Sequence, residues 1–488
     1  MQIDTSWLTR YPRELLEAVN KIALDLDLKV YIVGGAVRDG LLSREKARDL
    51  DLAVIEGGVD FAEKLALALR GTFVLLDSKE GVARVVWRGY DIDLAGFKDG
   101  VDSIEEDLLK RDFTVNAMAL RFPSGLWQSV RSSLFDPAAG RVDLEHGIVR
   151  TVSGRTFNDD PLRLLRAYRL QATLGFTLDE VTEREIRDKV HLIERVAPER
   201  VSYELDLIMS SDRSCQALTG IRDAGLFKYI IPEIERGRGV EQPSGHHLDV
   251  MDHNMAALCA MEEIVRDPGK YFQEEKVIQK FLNRQGISSR LKWAAFFHDL
   301  GKPDVVQIRD KRITFYNHER FGADQVKVIG ARLRWSRDKT FQISRLVGYH
   351  MWPFHLSNVR RKEGITTRAC LRLVKTLGDD LPGLFMLAIA DSLASQGPGR
   401  PVHMEKELAE LFSEVYDIFK SKVSPALASP GLITGHDLIV LGLAPGPVFK
   451  DILREAEEAR VTGEIRSRDE ALAWLKSHID QYYSELVR

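Results

Sequence analysis

The chain has 488 residues, 44% hydrophobic and 29% charged, with a formal net charge of −4. That length exceeds one core, so roughly two to four domains are expected, and the composition excludes a disordered or fibrous protein. The small negative charge excludes coating of nucleic acid by bulk electrostatics, while leaving room for a local basic surface.

The segment "PRELLEAVNKIALDLD" has helical apolar spacing, and "KVYIVGG" then reads as a short buried strand ended by glycines. "LDLAVI" predicts a second strand and "VDFAEKLALALR" an amphipathic helix, with "GTFVLLD", "VARVVWRG" and "YDIDLAGF" as three further strands. After about residue 150 helical patterns take over: "PLRLLRAYRLQATLGF", Leu291 to His298 and Leu371 to Leu393. "KSKVSPALASPGLITGHDL" has linker composition and introduces a helical tail. The fold class is therefore α+β, a small mixed-sheet head followed by a long all-helical body. The N-terminus lacks an apolar leader and no apolar run reaches membrane-span length, so a cytoplasmic protein with no membrane partner is expected.

Chemistry enters with "GGAVRD". Gly34 and Gly35 end a strand where a helix should begin, so backbone N–H groups there can approach a phosphate closely. Arg38, one turn on, would add a bidentate guanidinium. Asp49 and Asp51 lie two apart on a strand and project from one face, as two magnesium ions on a nucleoside triphosphate require. Asp93 would add a third ligand from a neighbouring strand, and Asp91 shares its face. Taken singly, a GG also fits a turn and a DxD a solvated strand end.

Together, "GGAVRD", "DLDLAV" and "KRDFTVNAMAL" resemble the head motifs of class II tRNA nucleotidyltransferases and bacterial poly(A) polymerases, whose head is polymerase beta-like. The resemblance continues through "NDDPLRLLRAYRLQATLGF", "RVAPERVSYELDLI", "LITGHDL" and "GLAPGPVFKDIL". It implies that Asp49 and Asp51 carry Mg²⁺ as catalytic residues with Asp93, and that Gly34, Gly35 and Arg38 hold the triphosphate. Arg111, Asp112 and Asn116 match the motif that recognises the ribose. Asp160 and Arg163, at i and i+3 on one helix face, match residues that pair with the Watson–Crick edge of C or A. The family's EDxxR reads "DDPLR" here, with Asp159 in place of Glu, and Arg166 extends the face. A capped helix with a basic stripe would read alike.

Only "KDGVDSIEEDLL" separates Phe97 from Lys110, where CCA-adding relatives carry a flexible basic loop. CC-adding members similarly lack it, so C addition from CTP to the tRNA 3′ end is the leading expectation. Full CCA addition, A addition from ATP and poly(A) synthesis are alternatives.

In the body, His253, then His298 and Asp299 in "FFHDLGKP", then Asp391 resemble the metal ligands of HD phosphohydrolases, with His318, His350 and His355 available to complete a two-metal site. This implies a divalent metal and hydrolysis of RNA ends or nucleotides. A phosphohydrolase with an RNA-recognising head is the rival reading of another class. Between Ala331 and Lys375, eleven Lys or Arg face two acids, Asp338 and Glu363, a local charge of +9. Trp335 and Trp352 lie within it, and the stretch is expected to contact RNA, unless it is a solvated helix face. Four domains are expected: residues 1–150 (head), 151–215 (neck), 216–425 (HD-type body) and 426–488 (helical tail).

Overall fold

A computed structural model describes residues 2–44, 48–78, 81–122, 131–310, 312–399 and 401–483. The chain forms two compact units, Met1–Ile230 and Ile231–Arg488. Among the described residues, no helix is long and apolar enough to cross a membrane.

The first unit is built on an eight-stranded mixed sheet. Its strands are β1 (Gln2–Asp4), β2 (Val30–Val33), β3 (Asp49–Val54), β4 (Thr72–Asp77), β5 (Val82–Trp87), β6 (Tyr90–Gly96), β7 (Ala119–Arg121) and β8 (Arg131–Phe135). They lie in the order β1-β8-β7-β2-β3-β6-β5-β4. The five strands expected from sequence are present as β2 to β6, whereas β1, β7 and β8 were not foreseen. β2 is buried at every residue, as a central strand covered on both faces must be. In β3, Leu50 and Leu52 sink into the core while Asp49 and Asp51 alternate onto the opposite face.

Helix α1 (Arg13–Asp25) buries Leu15, Leu16, Val19 and Ile22, an i, i+4, i+7 stripe. Helix α2 (Gly34–Leu41) starts directly at the end of β2, and α3 (Gly58–Leu69) covers the sheet with Phe61, Ala62, Leu65 and Leu69. The short connection after β6 folds as a 3-10 turn, Lys98–Gly100, and helix α4 (Ile104–Leu109), N-capped by the Ser103 side chain.

The second unit is helical. The Leu381–Ala394 helix is buried on almost every side and packs against Val250–Arg266 and Ile287–Phe297, so it forms the unit's axis. The helical pattern expected over Leu371 to Leu393 is broken: Thr367–Leu377 ends at Gly378, whose φ of +53° a side chain would resist. A separate core cluster runs from Ile433 to Ile479 and includes Leu438, Ile452 and Leu475.

Candidate active site and metal centre

Strand pairing assembles the head carboxylates. β3 and β6 run parallel with Asp49 opposite Asp91 and Asp51 opposite Asp93, so four acids share one face. Burial, then the neighbouring Asp91, raises the Asp49 carboxyl above its ordinary range, against the pull of Arg84. Burial and Asp93 likewise raise Asp51, opposed by Arg111 and Arg38. Carboxylates held together under such strain fit a divalent cation, which would relieve it. Asp93 differs from the other two. Arg84, opposite it on β5, forks both of its oxygens at 2.7 and 2.9 Å and reaches Asp91 at 3.0 Å. Arg84 was missed from the sequence, although it is the one charge in the apolar run VARVVW.

Gly34 has φ of +64°, and a Cβ on either Gly34 or Gly35 would lie 3.3 Å from the Asp51 Oδ2. Glycine there keeps the backbone against the carboxylates. Arg38 projects from α2 and is held by Asp39 at 2.9 and 3.0 Å while donating to the Asn116 Oδ1 at 2.6 Å. The Asn116 side-chain amide donates to Asp112 at 3.2 Å, and Arg166 meets the other Asp112 oxygen at 2.9 Å. An unbroken polar chain thus runs from Arg38 to Arg166. Burial alone would raise Asp112, yet Arg166 and then Arg163 hold it well below the carboxylate range. Arg111 is fixed by Asp107 through its Nε at 3.1 Å and Nη2 at 3.0 Å.

One cavity of about 440 Å³ collects these groups: Gly34, Gly35, Arg38, Asp49, Asp51, Asp93, Arg111, Asp112, Asn116 and Arg166. Arg169, Tyr11 and Tyr203 line it as well, and none was named from sequence. Asp159, Asp160 and Arg163 do not line it. The expected single helix face is interrupted: one turn covers Thr156–Asp159, Asp160 is extended, and the next helix starts at Arg163. Asp160 accepts the Leu162 N–H at 3.1 Å and pairs with Arg200 at 2.9 Å, behaving as a helix-entry cap. Buried Arg163 donates to the carbonyls of Thr156 (3.2 Å) and Lys110 (3.4 Å), and exposed Asp159 lies 3.9 Å from Arg155.

In the second unit six buried groups converge: His253, His298, Asp299, His318, His350 and Asp391. The Nδ1 atoms of His298, His318 and His350 each donate to a carbonyl three residues earlier, at 2.8 to 2.9 Å, which points each of these Nε2 atoms inward. His253 and His298 Nε2 are 3.1 Å apart, and His318 and His350 Nε2 3.2 Å apart. Asp299 bridges them, Oδ2 at 3.4 and 3.3 Å from the first pair, Oδ1 at 3.2 and 3.6 Å from the second. Asp391 Oδ1 is 3.1 Å from His253. Converging acceptors with their protons turned outward fit one or two transition metals. His355 is exposed on the wall of the pocket above and belongs to neither ligand group.

Much of the basic stretch is paired with acids, although Arg361, Arg368 and Arg372 remain exposed. Arg332 pairs with Glu233, Arg345 with Asp380, Arg360 with Glu414, Arg361 with Glu407, Arg368 and Arg372 with Glu458, and Lys375 with Glu457. Trp335 packs on Trp293 with ring centroids 5.0 Å apart, and the Lys339 ammonium lies 3.9 Å over its ring. Trp352 leans on Tyr349 at 5.5 Å. The partners come from distant helices, which local charge counting overlooks.

Comparison with known proteins agrees with the head geometry. The poly A polymerase head domain family matches residues 30–150, and the family described as the probable RNA and SrmB-binding site of polymerase A matches residues 175–237. An A-adding tRNA nucleotidyltransferase of Deinococcus radiodurans is 31% identical over 459 residues, covering 91% of this chain and 94% of the relative. A CC-adding tRNA nucleotidyltransferase of Synechocystis sp. is 30% identical over 469 residues, 94% of this chain and 97% of the relative. The structure of the Thermotoga maritima CCA-adding enzyme complexed with tRNA superposes with a TM-score of 0.64 at 22% identity, over 98% of this chain and 99% of that one. With its mixed-sheet head, its carboxylate cavity and these relatives along nearly its whole length, the chain belongs to the tRNA nucleotidyltransferase family.

Proposed function

We propose that this protein extends the 3′ end of tRNA without a nucleic acid template, and that the residues it adds are C, taken from CTP. The observation that carries transfer is the carboxylate face of Asp49, Asp51 and Asp93 opening onto the same cavity as Gly34, Gly35 and Arg38. Gly34, Gly35 and Arg38 bind the triphosphate. Arg111, Asp112 and Asn116 face the ribose. Asp160 and Arg163, with Asp159 steadying the arginine, read the base edge once the Arg200 pairing and the carbonyl contacts are exchanged for it, and Arg166, which lines the cavity, meets phosphate or base. Mg²⁺ held by Asp49 and Asp51, with Asp93 completing the set, would supply charge neutralisation and activation of the attacking hydroxyl. The acceptor's 3′ hydroxyl attacks the α-phosphate and pyrophosphate leaves.

C addition is supported by the connection between Phe97 and Lys110. Lys98 N–H and Arg111 both bind the buried Asp107, and Ile104 and Leu108 enter a core cluster with Tyr31 and Phe97. A segment so anchored suits one base rather than a switch between two. A addition is the second reading, favoured by the A-adding relative at 31% identity.

For the second unit we propose that His253, His298, Asp299 and Asp391, with His318 and His350, hold divalent metal for phosphohydrolysis. The four-part division at 150, 215 and 425 follows these roles: transfer, base reading, metal-dependent hydrolysis and a tail. Asp49→Ala combined with Asp51→Ala should abolish nucleotide addition and leave the metal content of the second unit unchanged by elemental analysis. Retained addition would refute the assignment.

A further inference from the structure

Tyr203 lies on the Pro198–Ser210 helix and lines the head cavity, yet 64% of it is exposed. The other aromatic residues of that wall, Trp7 and Tyr11, are 6% and 3% exposed. Among the described residues, the Tyr203 ring packs on no other aromatic and its hydroxyl makes no hydrogen bond. Its neighbours on the helix are both engaged. Arg200, one turn earlier, pairs with Asp160 at 2.9 Å, and Glu204 pairs with Arg169 at 2.7 Å. Those two contacts fasten this helix face to the Arg163–Leu174 helix and its entry. The ring is therefore carried by a braced helix, not by a loop.

An open aromatic face on a braced helix, in a cavity also lined by Arg166 and Arg169, is what a nucleobase stacks on. We propose that Tyr203 is a stacking platform for a nucleobase in the head cavity, either the base of the incoming nucleotide or the terminal base of the acceptor RNA. The proposal rests on the nucleotidyltransferase reading and adds to it a contact with the face of the base, beside the edge contacts assigned to Asp160 and Arg163. Stacking tolerates any base, so the ring supplies affinity and orientation, while choice stays with the edge contacts.

The test compares Tyr203→Ala and Tyr203→Phe with wild type in equilibrium titrations of the full chain. The probes are CTP, ATP, inorganic tripolyphosphate and a tRNA transcript ending at its discriminator base. Tyr203→Ala should weaken either the nucleotides or the tRNA by about 5- to 100-fold, and Tyr203→Phe should stay within about twofold of wild type, because a ring without the hydroxyl still stacks. Loss with both nucleotides but not tripolyphosphate assigns the platform to the incoming base. Loss with tRNA alone assigns it to the acceptor. Unchanged affinity for every probe, an equal loss with tripolyphosphate, or a Phe variant as weak as Ala would overturn the platform alone. A wild type that binds neither nucleotide nor tRNA would overturn the transferase reading together with it.

Discussion

Asp51 shows what a single residue contributes in two directions. Burial and Asp93 raise its carboxyl, so the folded chain binds that proton more tightly than the unfolded one. In metal-free protein its ionisation therefore costs stability, a cost absent below the ordinary carboxylate range and growing as pH rises through the raised value. Asp51→Asn removes that cost. It should raise the metal-free Tm at neutral pH by about 2–4 °C for each kcal/mol relieved, while abolishing addition. Added Mg²⁺ should raise the Tm of wild type and not of the variant. A metal-free Tm below wild type would show that the carboxylate stabilises the head instead. The spacing of Asp49 and Asp51 was legible in the sequence, because alternation along a strand fixes which side chains share a face. Arg84 was not, since its role depends on which strand β6 chooses as its second neighbour.

At the scale of elements, the connection between Phe97 and Lys110 acts as a strap on Arg111. Asp107 is 1% exposed and receives three hydrogen bonds, one from Lys98 N–H and two from Arg111. Asp107→Ala should lower stability by about 3–5 kcal/mol, as the loss of one partner from a buried ion pair does, and raise the KM for nucleotide. A variant with wild-type melting and KM would show that the strap holds nothing. Replacing this connection by a longer flexible basic loop should allow A to be added after C, and a product ladder unchanged by the graft would contradict the specificity argument. Sequence revealed the strap's length but not its anchoring, because a buried Asp in "IEEDLL" reads like any acidic helix start. The break between Asp160 and Arg163 was hidden for a related reason. Pro161 sits where a first helical turn tolerates it, so the periodicity continued through a point where the backbone is extended.

Across the molecule, charge is balanced between distant segments. The +9 stretch of residues 331–375 draws its counter-charges from Glu233, Asp380, Glu407, Glu414, Glu457 and Glu458. Arg360→Glu with Arg361→Glu should therefore lower the Tm by several degrees, yet leave the salt dependence of tRNA binding unchanged. A flattened salt slope with unaltered melting would restore the RNA-contact expectation. The histidine and aspartate positions of the second unit were readable in order along the chain. What folding adds is Asp299 standing between two histidine pairs, with the Nδ1 atoms of His298, His318 and His350 bound to backbone carbonyls.

The most direct measurement uses a tRNA transcript truncated at its discriminator base, with Mg²⁺ and each nucleoside triphosphate in turn, and products resolved at single-nucleotide length. Two additions from CTP are expected, with no addition from ATP to this transcript or to one already ending in CC. A single A added after CC, or no incorporation of C, would contradict that expectation.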